Sequence, residues 1–499
     1  MQLINSPLII AYSMAVLMAV TALHTQGFAF YCNDGDNSGQ SLAHRVAAAD
    51  HNTAFFGKSH LGDPKSDGFE TGSEIPDAAL TSWMTEIDDR SYPNKPSRNK
   101  PFVNKLSTDK SNTNDSTSDE LSLPDPLQPA GENSAVTSAA EWEALGRPTT
   151  LKLFEQHMYG ETPRGPWELE FKLLDERKDA FDGLATRRLV RITLKDLPTW
   201  PGLELLLYVP NERPQGPIPA FVGLSFRGNH SVTIEPDVPL STRWQSPDNS
   251  KGIVNHLATE ASRGSASSRW PLKTVLQRGY AVATAYCGDV EPDHAEGWRD
   301  GLRGALRKRD GEKGEMAEGE WACLGAWAWS LSRIVDYLET VPEVDASRSI
   351  SIGHSRLGKA SLWAGAQDKR FALVISNNSG EGGAALKYRD FGETPKQITA
   401  RFPHWFTKTY LRYTDDPRTC PVDQHQLIAL IAPRAAYVAS ASKDLWADPK
   451  GEFLAVKHSE PVYRLYGMES VGLAEQPPLD QSIGGRVGYH VRSGSHDIT

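Results

Sequence analysis

Cysteine is scarce: four residues in 499, at Cys32, Cys287, Cys323 and Cys420. So few cysteines exclude a disulfide scaffold, and no Cys/His cluster has the spacing of metal ligands. Cys323 sits in an apolar run and reads as a buried free thiol. A pair among Cys287, Cys323 and Cys420 stays open, because spacing alone selects none. Positive charge is also short. Lys and Arg number 53 against 63 Asp and Glu, a formal net charge of −10, which argues against nucleic acid and anionic membrane surfaces as partners. The chain shows no internal repeat. With 39% apolar and 23% charged residues, its composition is that of a soluble globular protein.

The N-terminal stretch lacks charge altogether. "PLIIAYSMAVLMAVTAL", from Pro7 to Leu23, is followed by small residues in "QGFA", the pattern of an export signal over residues 1–29 cleaved near Ala29. No Lys or Arg precedes it, so a short N-terminal anchor is the rival. Cys32 makes a poor lipoprotein site, since "AFYC" lacks the small residues that precede such a cysteine. Cleavage implies a secreted or periplasmic protein with no stable membrane partner.

Residues 30–136 form a disordered polar linker by composition. "NKLSTDKSNTNDSTSDELSLPDP" carries too little apolar surface to offset the entropy of ordering. A helix signal opens near Ser138 in "SAAEWEALGRP". From there strands and helices alternate. "WELEFKLL" and "TRRLVRITL" read as antiparallel strands. "LELLLYVP", "IPAFVGLSF" and "YAVATAY" read as strands covered on both faces. "WPLKTVLQRG" fits a helix closed by glycine. "WACLGAWAWSLSRIVDYL" is a helix apolar over most of its circumference. Then follow strand "RSISIG", helix "RLGKASLWAGA", strand "FALVIS", helix "DQHQLIALI", strand "RAAYVAS", helix "GEFLAVKH" and strand "PVYRLYG". This alternation predicts an α/β domain over 137–499 with a doubly wound, mostly parallel sheet between helical layers.

Chemistry concentrates at "ISIGHSRLGKASLW", residues 350–363. A buried strand meets Gly353, then Ser355, then a helix, as in the nucleophile elbow G-x-S-x-G. Leu357 fills the second glycine's place and Gly358 comes one residue later. The helix N-terminus favours an oxyanion beside Ser355, although a plain serine N-cap would leave the same pattern. In this fold the order is Ser, acid, His. His458, His490 and His496 remain for the base, and His496, in the loop "RSGSHD", is best placed to swing to Ser355. Two strand ends offer an acid. One has Asn377 and Asn378 with Glu381 beyond; the other has Asp444, with Asp448 read as the cap of the next helix.

The blocks "GHSRLGKASLWAGAQDKRFALVISNNSGEGGAAL", "RFPHWF", "PVDQHQLIALIAPR", "SKDLWADPKGEF" and "GYHVRSGSHD" resemble the bacterial glucuronoyl esterases of carbohydrate esterase family 15, the 4-O-methyl-glucuronoyl methylesterases. "GNHSVTIEPDVPLSTRW", "ATEASRGSASSRWPL" and "RGYAVATAYCGDVEPDH" extend the resemblance over roughly residues 140–499. The family motif G-x-S-R-x-G-K itself carries the displaced glycine. The resemblance implies an α/β-hydrolase fold, hydrolysis of esters between glucuronate on xylan and lignin alcohols, and neither metal nor organic cofactor. It matches Ser355 to the nucleophile, His496 to the base and Arg356 to an arginine assisting the oxyanion. Lys359 matches a lysine on sugar hydroxyls, and Glu393 and Trp446 match contacts to the glucuronate ring.

One departure stands out. Asn378 occupies the slot of the glutamate that many members use as triad acid, while other bacterial members place the acid where this chain has Asp444. Asn378 can orient an imidazolium but supplies no charge, so Asp444 is the expected acid. The chain ends soon after His496, where relatives continue into a terminal helix, which raises the expectation of a less stable domain. The rival functions are an acetylxylan or feruloyl-type esterase and a non-catalytic polysaccharide-binding relative.

Overall fold

The computed structural model describes residues 122–132, 134–468 and 471–498. The expected export signal, Cys32 and the linker up to residue 121 lie outside the described residues. Residues 122–132 and 134–136, expected as linker, pack on the domain instead. Val136 is buried, Leu123 and Leu127 lie against the core, and the carbonyl of Pro124 is 2.8 Å from His425 Nε2. The polar average of the linker hid these few apolar anchors. A helical run comes next as Ala139–Glu141, Trp142–Gly146, Arg147–Phe154 and Glu155–Tyr159, capped by the Ser138 hydroxyl on the Glu141 amide and burying Trp142, Phe154, Met158 and Tyr159.

Ten strands form the central sheet: β1 (Leu169–Asp179), β2 (Ala185–Leu194), β3 (Leu203–Pro210), β4 (Ile218–Ser225), β5 (Ala281–Tyr286), β6 (Val344–His354), β7 (Phe371–Asn377), β8 (Ala435–Ala441), β9 (Ile483–Gly484) and β10 (Val487–Arg492). Their order is β1-β2-β3-β5-β4-β6-β7-β8-β10-β9. The pairs β1–β2, β2–β3, β3–β5 and β9–β10 are antiparallel; the run β5-β4-β6-β7-β8-β10 is parallel. Burial follows this division. β1 lies at the edge and is largely exposed, β2 alternates, and β5, β8 and β10 are buried at every residue. Parallel strands need crossover helices, which cover both faces.

The helices that accompany the parallel strands include α1 (Cys323–Leu338), α2 (Arg356–Gln367), α3 (Gln424–Ala429) and α4 (Pro449–Leu465). The apolar α1 packs against α2, β4 and β6. "PVYRLYG", expected as a strand, instead supplies the last residues of α4, Pro461 to Leu465, with Tyr466 and Gly467 in the turn after it. Ala455, Val456, Ser459, Val462 and Tyr463 recur at helical spacing and are all buried. Its aromatic and β-branched residues suggested a strand, but tertiary packing decides, and Pro461 removes only one backbone donor. The parallel partner of β8 is "VGYHVR", β10. Cys287, Cys323 and Cys420 are buried free thiols. Among the described residues no helix is long and apolar enough to cross a membrane.

Helix α2 meets the sheet at glycine. A Cβ on Gly353 would lie 2.1 Å from the Leu357 carbonyl oxygen, and one on Gly358 would lie 3.1 Å from the Gly353 carbonyl oxygen and from Ser376 Oγ. Gly353→Ala is expected to cost about 1–3 kcal/mol through overpacking of backbone on backbone. Gly319→Ala, where an added methyl meets nothing within 4 Å, should stay within about 0.5 kcal/mol of wild type. Thermal unfolding followed by circular dichroism compares the two.

Candidate active site

β6 ends at His354, α2 starts at Arg356, and Ser355 between them has φ 56° and ψ −128°. This is a conformation that side chains rarely adopt, and it is held here by the elbow. Gly358 and Lys359 donate their amides to the Ser355 carbonyl at 2.9 and 3.2 Å. The amides of Arg356 and Leu357 precede them in the first turn, where a helix has no internal acceptor for its N–H groups. Leu357 itself is buried in the core. The small residue needed for close helix–strand approach therefore falls at 358, one position later than in G-x-S-x-G.

Of the three candidate histidines, His496 reaches the serine. Its Nε2 is 3.0 Å from Ser355 Oγ and its Nδ1 is 2.6 Å from Asp444 Oδ2. His490 points to the Tyr437 hydroxyl inside β10, and His458 lies within α4. The loop carrying His496 is laced to the loop carrying Asp444. Ser442 and Lys443 donate their amides to the carbonyls of Arg492 and Gly494 at 2.9 and 2.8 Å. Arg269 Nε holds the next residue, Asp497, at 2.9 Å.

Asp444 also accepts a 2.7 Å hydrogen bond from Asn378 Nδ2. Burial pushes its carboxyl up, but the His496 ring and the Asn378 amide outweigh that and hold it below the ordinary carboxylate value. The other acid candidates are engaged elsewhere. Glu381 is buried against the Tyr410 hydroxyl, and burial raises it to about 7. Asp448 occupies the N-cap position of α4, but its carboxylate pairs with Arg389 Nε at 2.7 Å rather than capping the helix. Asn377 Oδ1 lies 2.7 Å from Nδ1 of His354, whose ring is 4.7 Å from that of His496. Burial first, and then the neighbouring His496, keep His354 well below the usual histidine value, so it packs as a neutral ring.

The expected sugar-directed groups border this centre. Lys359 is buried, and its ammonium donates to the carbonyls of Ser379 and Glu381, each at 2.5 Å. Burial lowers it, with Glu393 and Glu381 acting against the fall. Burial raises Glu393, against the charges of Lys359 and Arg401. The Glu393 amide donates to the Trp446 carbonyl at 2.8 Å, and Trp446 is 44% exposed, an open aromatic face beside Asp444. Arg356 pairs with Asp293 and lies over the rings of Phe226 and Trp405 at 5.1 and 5.3 Å.

Sequence reasoning missed three supports: Asp293, His354 and Glu452. Glu452 accepts the amides of Ser379 and Gly380 at 2.8 and 3.0 Å and the Ser440 hydroxyl at 2.6 Å, so it fixes the loop after β7. A glutamate in the first turn of α4 looks like dipole compensation; only the parallel packing of β7 beside β8 brings the loop to it. Among the described residues no group of three or more His, Cys, Asp or Glu is arranged to hold a metal.

A serine on a strand–helix elbow, a histidine on a late loop and an acid after a parallel strand define an α/β-hydrolase. The family model "Glucuronyl esterase, fungi" matches residues 316–467. Carbohydrate esterase MZ0003 from an unknown prokaryotic organism is 42% identical over 378 residues, covering 76% of this chain and 86% of that one. A glucuronoyl esterase from Solibacter usitatus superposes with a TM-score of 0.71 at 43% identity, over 76% of this chain and 94% of the other. A promiscuous CE15 esterase from the marine bacterial metagenome gives 0.70 at 41%, over 76% and 93%. The chain belongs to carbohydrate esterase family 15, the glucuronoyl esterases.

Glu452 makes stability depend on pH. Burial lifts it from 4.5 to about 8, against its hydrogen bonds from Ser440 and the Gly380 amide. The folded state then binds a proton that the unfolded state releases, so this group's contribution to stability falls as pH rises from about 4.5 towards 8. Glu452→Gln reproduces the neutral acid. It should remove that decline and be more stable than wild type at pH 8, as read from urea midpoints at pH 5 and pH 8.

Proposed function

We propose that the chain is a serine esterase cleaving esters of 4-O-methyl-glucuronic acid on xylan, with lignin-type alcohols as leaving groups. The observation that carries this is the relay from Ser355 through His496 to Asp444, at 3.0 and 2.6 Å, in a chain of this family. Ser355 Oγ attacks the ester carbonyl and His496 Nε2 takes its proton. Asp444 holds the ring by Nδ1 and balances the imidazolium. The oxyanion is met by amides at the start of α2 and by the Arg356 guanidinium. His496 returns the proton to the departing alcohol, leaving an acyl-enzyme. Water, deprotonated by the same ring, then releases the uronate and regenerates Ser355.

Lys359, Glu393 and Trp446 supply the sugar recognition. An acetyl or feruloyl ester brings no uronate ring hydroxyls to its acyl side for Lys359 and Glu393 to hold. Broader ester use is the second reading, favoured by the relative described as promiscuous. The expected signal over residues 1–29 supports an activity outside the cytoplasm, where glucuronoxylan and lignin–carbohydrate esters occur; N-terminal sequencing of exported protein tests that.

The substrate test is a side-by-side assay of methyl or benzyl glucuronate, acetylated xylan and p-nitrophenyl acetate. The uronate esters should lead in kcat/KM by about tenfold or more. Equal rates on all three would leave only a generic esterase. Ser355→Ala should fold normally and lose at least about 10³ in kcat.

For the acid, Asp444→Asn should lower kcat by roughly 10²–10⁴ while Glu381→Gln costs far less, the upper figure being the handicap of a serine protease whose triad aspartate becomes asparagine. A dead Glu381→Gln beside a near-normal Asp444→Asn would reverse the assignment.

A further inference from the structure

One largely buried carboxylate beside the site has no part in the esterase steps. Asp293 follows β5, beyond the short turn of helix Cys287–Val290, and its side chain is 10% exposed. Its polar partners are the side chains of Arg356, Trp405 and His404. Oδ2 accepts from Arg356 Nη1. Oδ1 accepts from Trp405 Nε1 at 2.7 Å and lies 2.9 Å from His404 Nε2. Burial acts to raise the Asp293 carboxyl, but the Arg356 charge, then His404 and Trp405, hold it well below the usual range. It is an ionised group inside the protein, and such a group is costly to keep unless its partners are fixed.

Arg356 is fixed with it. The guanidinium follows Ser355 directly in the chain, pairs with Asp293, and packs near Phe226 and Trp405. Trp405 therefore both donates to the carboxylate and lies against the cation.

This arrangement answers a problem set by the reaction. The transition state carries a negative oxygen only while the tetrahedral centre lasts. The product carries a permanent carboxylate on the same carbon. An arginine with no counter-charge beside Ser355 would bind that product through a charge-assisted pair and slow its release. Turnover requires an interaction stronger in the transition state than in either ground state. A guanidinium whose charge Asp293 already balances holds a free carboxylate less tightly than an unbalanced one would.

We propose that Asp293 is a positioning residue that fixes the Arg356 guanidinium and balances its charge, so that Arg356 serves the oxyanion without retaining the uronate product. This rests on Arg356 being the oxyanion partner in the proposed esterase.

The test uses the full chain. For Asp293→Asn, kcat on methyl glucuronate should fall about 10–100-fold, the scale of a misaimed catalytic donor, with KM changed less than about threefold. The inhibition constant of free glucuronic acid should drop about tenfold, because the cation is no longer neutralised. A merely structural role would not tighten product binding. Asp293→Glu keeps the charge and should return the inhibition constant towards wild type while kcat stays low. Trp405→Phe removes one donor and keeps the carboxylate; kcat should fall about threefold to tenfold with the inhibition constant unchanged.

A folded Asp293→Asn with unaltered glucuronate inhibition overturns the proposal, whatever its kcat. If Asp293→Asn does not fold, an unchanged kcat in both Asp293→Glu and Trp405→Phe overturns it instead. A wild-type chain inactive on uronate esters but active on p-nitrophenyl acetate sinks the substrate reading alone. The kcat of Asp293→Asn on p-nitrophenyl acetate then still decides this one.

Discussion

The backbone of Ser355 is the constraint on which the site depends. At φ 56° a side chain is strained, and that strain persists only because its surroundings allow no relaxation. Below it, Gly353 lets the carbonyl of Leu357 come closer than any Cβ would permit. Beside it, Gly358 lets α2 lie on β6 and on the loop after β7. Leu357 between them is a core residue. The elbow thus has two tight contacts, and the residue in the conventional second glycine position makes neither through its side chain.

The same packing explains how an acid can change strands without moving in space. β7 and β8 are parallel neighbours, with Asn377 opposite Ala439, and the Asn378 amide donates to the Ala439 carbonyl at 2.7 Å. Adjacent strands are about 4.8 Å apart, so a carboxylate after β8 reaches the imidazole that one after β7 would serve. Asn378 then takes a supporting role, donating its amide to Asp444. Two carboxylates at these positions would repel and raise one another. An amide beside the acid instead stabilises its charge, so the replacement that suggested a non-catalytic relative is consistent with a working triad.

What could be read from the sequence was local. The strands of the parallel run are dense apolar segments, the elbow lies within six residues, and Asp444 and His496 each lie in the loop just after a strand. What could not be read was set by contacts distant in sequence. "PVYRLYG" has the composition of a strand, but its buried residues continue the face of α4. Leu123, Leu127 and Val136 are too few to stand out from a polar stretch, yet each finds the core. Asp293 and Arg356 are 63 positions apart, and nothing near "EPDH" marks the aspartate as belonging to the serine. Glu452 is hidden for the same reason: its partners come from the ends of β7 and β8.

The groups read as sugar contacts are also structural. An ammonium has three donors, and Lys359 uses two on the carbonyls of Ser379 and Glu381. Those carbonyls belong to the loop whose amides Glu452 holds. The Glu393 amide likewise ties its segment to the carbonyl of Trp446, two residues from Asp444. Recognition and triad geometry therefore share one scaffold. Truncating Lys359 would loosen the loop after β7 as well as remove a donor from the pocket, so a fall in kcat/KM for that variant would not by itself measure sugar recognition. Asp293 differs in this respect, because its partners are side chains of Arg356, His404 and Trp405. A change there acts on the charge beside Ser355 and leaves the loops of Asn378 and Asp444 in place.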